Sequence, residues 1–216
     1  MSRIRRKAGT KEELLQLSPP LVLDPKQYKG KWQEYFQNAN PIRLELGMGK
    51  GTFISTLALE NPGINYIGLE LREEVLLSGL KKSREPGLAN IAFIWTDIKD
   101  LADYFAGDEV NRIYINFCDP WPKVRHAKRR LTHAGFLNVY QEILVNQAEV
   151  HFKTDNEELF EFSLNQFSQA GFVLKNIRLN LYRNLPDDNV PTEYELKYRE
   201  QGLKIMRLEA VNNGGN

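Results

Sequence analysis

The segment IRLELGMGKG, residues 42–51, decides the fold of this chain. Its first half is a short apolar strand, Ile42–Leu46, and its second half is a glycine-rich turn that leads into a predicted helix, Thr52–Glu60. Gly47, Gly49 and Gly51 permit a tight turn and let a ligand approach the backbone closely. Their spacing differs from the G-x-G-x-x-G of dinucleotide-binding enzymes. The turn therefore favours a ligand other than a dinucleotide, with a glycine turn that binds nothing as the alternative.

Strands and helices continue to alternate after this segment. The regular alternation predicts an α/β fold with a mostly parallel sheet and helices on both faces. Ligands of such folds bind beyond the carboxyl ends of the strands. The further predicted strands are Asn65–Leu69, Ile91–Trp95, Arg112–Phe117, Glu149–Lys153, Phe172–Leu181 and Leu203–Leu208, and the further predicted helices are Arg72–Ser83, Ile98–Phe105, Thr132–Gln147 and Asn156–Ala170.

Before the segment, Asp24 and Pro25 read as an N-cap followed by proline at the first helical position. Tyr28, Trp32 and Phe36 recur four residues apart and predict one amphipathic helix whose aromatic side faces the core. We expect residues 1–23 to be a basic, partly flexible arm and residues 24–211 to form a single domain. The Asn/Gly-rich residues 212–216 are expected to be a frayed end.

Composition excludes several classes of protein. With 42% hydrophobic and 11% aromatic residues among 216, the chain has enough material for a core and is not predominantly disordered. Its longest apolar run, Ile91–Trp95, is far shorter than the ~20 residues of a membrane-spanning helix. One cysteine excludes an internal disulfide, which fits a cytoplasmic location. The three histidines lack metal-ligand spacing, so no metal is expected.

The formal net charge of +1 hides an uneven distribution of charge. Residues 1–11 carry five basic residues and no acid, and KVRHAKRR, residues 123–130, carries five more with no acid. Local basic clusters in a balanced chain indicate an anionic partner such as a nucleic acid. The N-terminal cluster is equally compatible with an RNA-contacting arm and with a solubilising tail.

Three predicted strands end at a carboxylate: Glu45, Glu70 and Asp97. Each residue alone reads as a helix cap or a surface acid. Together they lie at one edge of the predicted sheet, where Glu70 could accept the hydroxyls of a ribose and Asp97 an adenine amino group. An acid beside a tight glycine turn suits a cationic ligand without phosphate, such as S-adenosyl-L-methionine (SAM). The pattern resembles SAM-dependent methyltransferases of the Rossmann-like class.

The fourth predicted strand runs into NFCDPWPK, residues 116–123. Two prolines stiffen the backbone around Asp119 and Trp121, as expected for a loop that positions a substrate base. A proline-rich turn with Trp121 as a core residue is the alternative. Cys118 invites comparison with enzymes that use a thiolate nucleophile, but a lone cysteine at a strand end is usually only buried.

Over nearly its whole length the chain resembles the bacterial tRNA (guanine-N7)-methyltransferases. The matching motifs are ELGMGKG (45–51), IGLELR (67–72), NFCDPWPKVRHAKRRL (116–131), HFKTDN (151–156) and TEYE (192–195). Two positions depart from the pattern: Cys118 stands where serine is frequent, and Gln147-Ala148 stand where glycines are common. Neither departure removes a proposed contact.

The resemblance implies transfer of a methyl group from SAM to N7 of the variable-loop guanosine, nucleotide 46, of tRNA. The products are the methylated tRNA and S-adenosyl-L-homocysteine, and neither a membrane nor an obligate protein partner is implied. The implied residues fall into three groups: a SAM site at Glu45, Gly47, Gly49, Gly51, Glu70, Asp97 and Asp119; a guanosine site at Lys123, Asp155, Thr192, Glu193, Tyr194 and Glu195; and a tRNA-contacting segment of Arg125, His126, Ala127, Lys128, Arg129 and Arg130.

Guanine N7 carries a lone pair and no proton, so its in-line attack on a methyl group needs no general base. The main requirement is alignment. Asp119 and Asp155 are expected to be the catalytic residues, because their negative charge favours the cationic methylated ring. One of them is also expected to hold the N1/N2 edge of the base.

Three other functions remain as alternatives. A methyltransferase acting on an exocyclic amine often carries an acid- or Asn-Pro-Pro-aromatic motif, whereas here Trp121 stands one place early. An NAD-dependent dehydrogenase would require the other glycine spacing. A catalytically silent RNA-binding module would not need the three acidic strand ends.

Overall fold

The computed structural model describes residues 9–82 and 88–214 of the chain. Residues 1–8 of the predicted arm, Ser83 at the end of a predicted helix, and residues 215 and 216 lie outside this range. The chain divides into two compact units, residues 1–104 and 105–216. None of the described helices is long and apolar enough to cross a bilayer.

The first unit contains three parallel strands in the order β3-β2-β1. They are β1 (Ile42–Leu46), β2 (Asn65–Glu70) and β3 (Ile91–Trp95), and almost all of their residues are buried. Burial on both faces is characteristic of parallel strands covered by helices. The helices of this unit are α1 (Thr10–Leu15), α2 (Trp32–Phe36), α3 (Thr52–Glu60) and α4 (Glu73–Lys82), and 3-10 helices form at Pro25–Tyr28 and Ile98–Asp103.

Residues from Thr10 onward are packed into the first unit rather than extending as an arm. Leu14 in α1 is fully buried, and α1 contacts α4. Further along, Leu21 forms a parallel bridge with Phe93 of β3, and the amide of Val22 donates to the Phe93 carbonyl at 2.9 Å. The segment therefore covers the outer edge of β3.

The single aromatic helix predicted from Tyr28, Trp32 and Phe36 is wrong. Gly30 has a φ of 76°, which ends the 3-10 helix and separates it from α2. The aromatic contacts nevertheless form: the Tyr28 and Trp32 ring centroids lie 5.5 Å apart, and those of Trp32 and Phe36 lie 6.4 Å apart. Packing of the rings is thus retained without a continuous helix.

The second unit contains four strands in the order β4-β5-β7-β6. β4 (Val110–Asn116) and β5 (Leu144–Thr154) are parallel, whereas β7 (Met206–Val211) runs antiparallel to both β5 and β6 (Val173–Arg178). Helices α5 (Ala134–Ile143) and α6 (Glu157–Gln169) contact β5. The unit also contains α7 (Glu193–Glu200) and 3-10 helices at Val124–Arg129 and Leu181–Arg183.

The predicted helix over residues 132–147 ends early, at Ile143, because β5 already begins at Leu144. The amide of Gln147 donates to the Asn212 carbonyl at 2.8 Å, and the amide of Asn212 donates back to Ala148 at 2.8 Å. Gln147 has a φ of 64°, a backbone conformation that favours glycine. Asn212, expected to belong to the frayed end, is 2% exposed.

Candidate active site

The glycine turn after β1 has the backbone conformation that its glycines predict. Gly47, Gly49 and Gly51 have φ values of 71°, 59° and 71°, which residues with a Cβ rarely adopt. The amides of Gly47 and Met48 donate to the carbonyl of Leu69 at 2.9 and 3.1 Å and so tie the turn to β2. A Cβ added at Gly47 or Gly49 would meet no other atom within 4 Å. The turn therefore leaves open space beside its backbone.

Met48, at the centre of the turn, is buried against two glycines that the sequence did not single out. A Cβ at Gly68, in the middle of β2, would overlap the Met48 sulfur, and one at Gly79 of α4 would lie 3.0 Å from the Met48 methyl carbon. A glycine inside an apolar strand often marks such a close approach, so Gly68 was the feature of the sequence that could have predicted this packing. Both glycines allow the turn to sit directly on β2 and α4.

Backbone amides hold the carboxylate of Glu70 at the end of β2. Its Oε2 accepts from Gly49 at 3.1 Å, and its Oε1 accepts from Leu71 and Arg72, each at 2.9 Å. Burial raises the pKa of Glu70, and the three backbone hydrogen bonds oppose that rise. A carboxylate offers about four acceptor positions. Glu70 therefore retains capacity to accept a ligand hydroxyl while it holds the glycine turn.

Glu45 and Asp97 lie at the same strand edge in different surroundings. Glu45, in β1, is 2% exposed. Asp97 follows β3, accepts from the amide of Lys99 at 3.1 Å as the cap of a 3-10 helix, and lies 3.5 Å from the Lys99 ammonium. Because β1, β2 and β3 are parallel neighbours, the three predicted acids do lie at the carboxyl ends of adjacent strands.

In the second unit, residues 117–122, which we call the proline loop, follow β4. Two of its non-glycine residues have positive φ, Phe117 at 51° and Trp121 at 42°. Such conformations cost about 1–3 kcal/mol each, persist only where the surroundings impose them, and cluster at functional sites. Phe117 is fixed by donation from its amide to the Lys153 carbonyl at 2.9 Å, and Asp119 is exposed in the loop.

Arg130, expected among the tRNA contacts, is buried beneath the proline loop and 9% exposed. Its guanidinium donates to the carbonyls of Pro120 and Trp121, both at 3.1 Å, and its central carbon lies 4.3 Å from the ring centroid of Phe162. These contacts hold the loop in its shape. The sequence pattern KRR could not separate this buried arginine from its exposed neighbours.

The rest of the basic segment, residues 123–130, is mostly at the surface. Lys123, Arg125, Lys128 and Arg129 are exposed, and His126 and Ala127 are half-buried. Trp121 packs on this segment rather than in the core: its ring centroid lies 4.8 Å from the Arg129 guanidinium carbon and 5.7 Å from the His126 ring. The proline loop and the basic segment thus support each other.

Cys118 does not have the properties of a nucleophile. Burial, together with the neighbouring charge of Asp119, raises the pKa of its thiol to about 12. Reactive cysteines instead have a lowered pKa. The structure therefore gives no support to a thiolate mechanism.

The motifs HFKTDN and TEYE meet at a buried ion pair. The Lys153 ammonium donates to Glu195 Oε2 at 2.9 Å, and the two side chains are 6% and 0% exposed. Thr192, expected to contact guanosine, caps α7 by accepting from the amide of Glu195 at 3.0 Å. Tyr182 donates to Glu195 Oε1 at 2.9 Å, and burial with this hydrogen bond raises the pKa of Tyr182 to about 12.

An aromatic cluster lies beside Asp155. The Phe117 ring centroid is 6.5 Å from that of Tyr194 and 5.8 Å from that of Tyr198, while Tyr194 and Tyr198 are 6.1 Å apart. Burial raises the pKa of Tyr198, and the negative charge of Asp155 raises it further. Asp155 is half-buried, Glu193 is half-buried and Tyr194 is 50% exposed. Sequence reasoning missed Tyr198, which lies one helical turn after Tyr194.

A separate group of charged residues surrounds a cavity of about 260 Å³ in the second unit. Glu149, His151 and Glu209 offer ligand atoms within 4.8 Å of one another. Arg112 already pairs with Glu149 at 2.6 Å, and Arg207 already pairs with Glu209 at 2.7 Å. Burial lowers the pKa of His151, which favours its neutral form. The carboxylates are thus neutralised by arginines, the arrangement of an ion-pair network.

Comparison with known proteins identifies the family. The family model described as "Putative methyltransferase" matches residues 39–208. A tRNA (guanine-N(7)-)-methyltransferase of Clostridioides difficile (strain 630) is 53% identical over 209 residues, which cover 96% of this chain and 98% of that protein. One of Lysinibacillus sphaericus (strain C3-41) is 48% identical, covering 96% and 97%.

Among solved structures, the 16S rRNA methyltransferase KamB superposes with a TM-score of 0.64 at 13% identity, covering 84% of this chain and 92% of that chain. At this identity the likeness concerns the fold alone, and it confirms the prediction of a Rossmann-like α/β fold with a mostly parallel sheet. The relatives found by sequence identify the family as well as the fold, because they match the chain over almost its full length. The chain belongs to the tRNA (guanine-N7)-methyltransferase family.

Proposed function

We propose that this protein methylates N7 of the variable-loop guanosine, nucleotide 46, of tRNA with SAM as the methyl donor. The proposed activity itself is supported by the 53% identity to a tRNA (guanine-N(7)-)-methyltransferase over 96% of the chain. The target nucleotide and the roles of individual residues are the finer part of the proposal. Because tRNA is the proposed substrate, we propose the cytoplasm as the location.

The residues of the first unit fit SAM. The glycine turn has open space at Gly47 and Gly49, the carboxylate of Glu70 retains acceptor capacity, and Glu45 and Asp97 add negative charge at the same strand edge. When bound, SAM supplies an electrophilic methyl group on a sulfonium. Negative side chains without a phosphate-binding arrangement suit this cation.

The residues of the second unit fit a guanine that becomes a cation. N7 presents a lone pair and no proton, so no side chain has to act as a base. Asp155 is proposed to hold the base and, with Asp119, to stabilise the positive charge of the methylated ring. Aromatic faces attract cations by up to about 2 kcal/mol where water is excluded. Phe117, Tyr194 and Tyr198 provide such faces, and the negative charge of Asp155 acts on Tyr198 and raises its pKa.

The exposed cations of the basic segment are proposed to bind tRNA phosphates. Arg125, Lys128 and Arg129 are exposed on one short stretch of chain. Phosphate contacts of this kind position an RNA without reading its sequence. Their binding free energy would offset the cost of unstacking the target base, a few kcal/mol.

Two tRNA transcripts test the proposal. One carries guanosine at position 46 and the other carries adenosine there, and each is incubated with the protein and methyl-labelled SAM. We expect label only in the first transcript, recovered as 7-methylguanosine after digestion to nucleosides.

The other outcomes each contradict a defined part of the proposal. Label in both transcripts would show that the target is a nucleotide other than 46. Label on an exocyclic amine would show that the reacting atom is not N7. Absence of both label and SAM binding would show that SAM is not the cofactor.

A further inference from the structure

Lys153 is a buried lysine whose ammonium is fully engaged with the protein. It is 5% exposed. Its Nζ donates to Asn189 Oδ1 at 2.7 Å, to the Val190 carbonyl at 3.0 Å and to Glu195 Oε2 at 2.9 Å. An ammonium has three N–H donors, so these bonds use all of them. The lysine is therefore held in one geometry and has no donor left for a substrate.

Glu195 is equally enclosed, although its motif position predicts a guanosine contact. Its residue exposure is 0%. Besides Lys153 on Oε2, Glu195 accepts on Oε1 from the hydroxyl of Tyr182 and from Asn189 Nδ2, both at 2.9 Å. Both carboxylate oxygens are thus occupied by this chain. A base could reach Glu195 only by displacing this network.

We infer that Lys153 and Glu195 are positioning residues that set the geometry of the guanosine site without contacting the base. Lys153 lies two residues before Asp155, and Glu195 directly follows Tyr194 in α7. The carbonyl of Lys153 also accepts from Phe117 at the start of the proline loop. The ion pair therefore joins the chain segment that carries Asp155 to the helix that carries Tyr194 and Tyr198, and the backbone of the same lysine holds the start of the proline loop. This inference rests on the proposed function of that site.

The chemistry of a buried ion pair supports this role. Replacing such a pair with well-packed apolar residues is often neutral or stabilising, so stability alone does not account for it. A pair with fixed hydrogen-bond directions instead favours one arrangement of the segments it joins. Alignment errors of about 1 Å can cost roughly 100-fold in rate. Loss of the pair is therefore expected to act on turnover more than on binding.

A double-mutant cycle with kinetics tests the inference. The variants are Lys153→Met, Glu195→Ala, the double variant and the conservative Glu195→Gln, and Lys175→Met removes an exposed lysine of β6 as the matched control. For each we would measure kcat, KM for tRNA and SAM affinity, and hydrogen exchange of the α7 amides. The double variant carries no unpaired buried charge, so the test remains valid where a single variant folds poorly.

We expect kcat to fall about 100-fold in Lys153→Met and in Glu195→Ala, and no further in the double variant, because each change breaks the same pair. Exchange in α7 should accelerate, while SAM affinity and KM for tRNA change little. Glu195→Gln should retain more activity than Glu195→Ala, since its amide oxygen still accepts from Lys153. Lys175→Met should behave as wild type.

The inference is overturned if Lys153→Met keeps wild-type kcat while both Glu195 variants lose activity and raise KM for tRNA. That result would make Glu195 a direct contact of the base. Additive losses in the double variant would likewise show that the two residues act separately. Failure of the proposed function is distinguishable, because the wild-type protein would then not form 7-methylguanosine at position 46.

Discussion

Neighbouring arginines of the basic segment have different surroundings, and their substitutions should differ accordingly. Arg130 donates two charged hydrogen bonds to the proline loop, whereas Arg129 is exposed and only stacks on Trp121. Arg130→Ala should lower the free energy of unfolding by about 1.5–3 kcal/mol, the range for a hydrogen bond that involves a charged group. Arg129→Ala should cost about 1 kcal/mol at most, the value of an exposed cation–π contact. Urea unfolding measures both. Equal losses would show that the buried hydrogen bonds do not hold the loop.

At the scale of single residues, strand ends and glycines were the most informative features of the sequence. Gly47, Gly49 and Gly51 do take positive φ, and Glu70 does lie against their turn. The burial of Lys153 and Arg130 was not predictable, because Lys153 pairs with Glu195 far along the chain and Arg130 folds back onto carbonyls of the preceding loop. A basic residue reads the same in a sequence whether its charge faces water or a buried carboxylate.

At the scale of elements, α1 gives a direct test of where the first unit begins. Leu14 is fully buried and its neighbour Leu15 is 47% exposed, although both lie in the predicted arm. Leu14→Ala should lower the free energy of unfolding by about 2–5 kcal/mol. Leu15→Ala should change it by no more than about 0.5 kcal/mol. Thermal or urea unfolding of the two variants checks the difference, and similar small effects would mean that α1 adds nothing to the core.

Element prediction succeeded where the apolar pattern was uninterrupted and failed where a local break or a distant partner intervened. β1, α3 and β3 have the predicted bounds. The helix through Trp32 failed because Gly30 turns the backbone, and α7 was missed because its sequence, EYELKYRE, is mostly polar. Its buried contact is the Glu195 carboxylate, a polar group that hydropathy patterns do not detect.

At the scale of the whole molecule, the net charge is only +1, so the proposed binding of tRNA depends on the local charge of the basic segment. Each phosphate contact contributes about 0.7–0.9 to the slope of log affinity against log salt. Replacing Arg125, Lys128 and Arg129 together with Ala should therefore reduce the slope of tRNA binding by about 2–3, with SAM affinity unchanged. Filter binding of tRNA over a salt series gives the slope.

The matched control for that series replaces three exposed lysines outside the basic segment with Ala: Lys31, Lys175 and Lys204. This variant removes the same charge and should leave the slope nearly unchanged. An equal loss of slope in both variants would mean that net charge, rather than the basic segment, attracts the tRNA. A reduced slope in the control variant alone would show that tRNA binds a surface other than the basic segment.

The sequence by itself determined the α/β class, the glycine turn, the acidic strand ends and the family, because these depend on local periodicity and on residues that stay close together in their motifs. Only the tertiary structure decided which charges are buried. Lys153 and Glu195 are 42 residues apart, and Arg130 acts on carbonyls of the proline loop. Burial of a charge is tolerated only where a partner meets it. The contact between a buried charge and its partner is a property of the folded chain, so the sequence alone could not show that Lys153, Glu195 and Arg130 are buried.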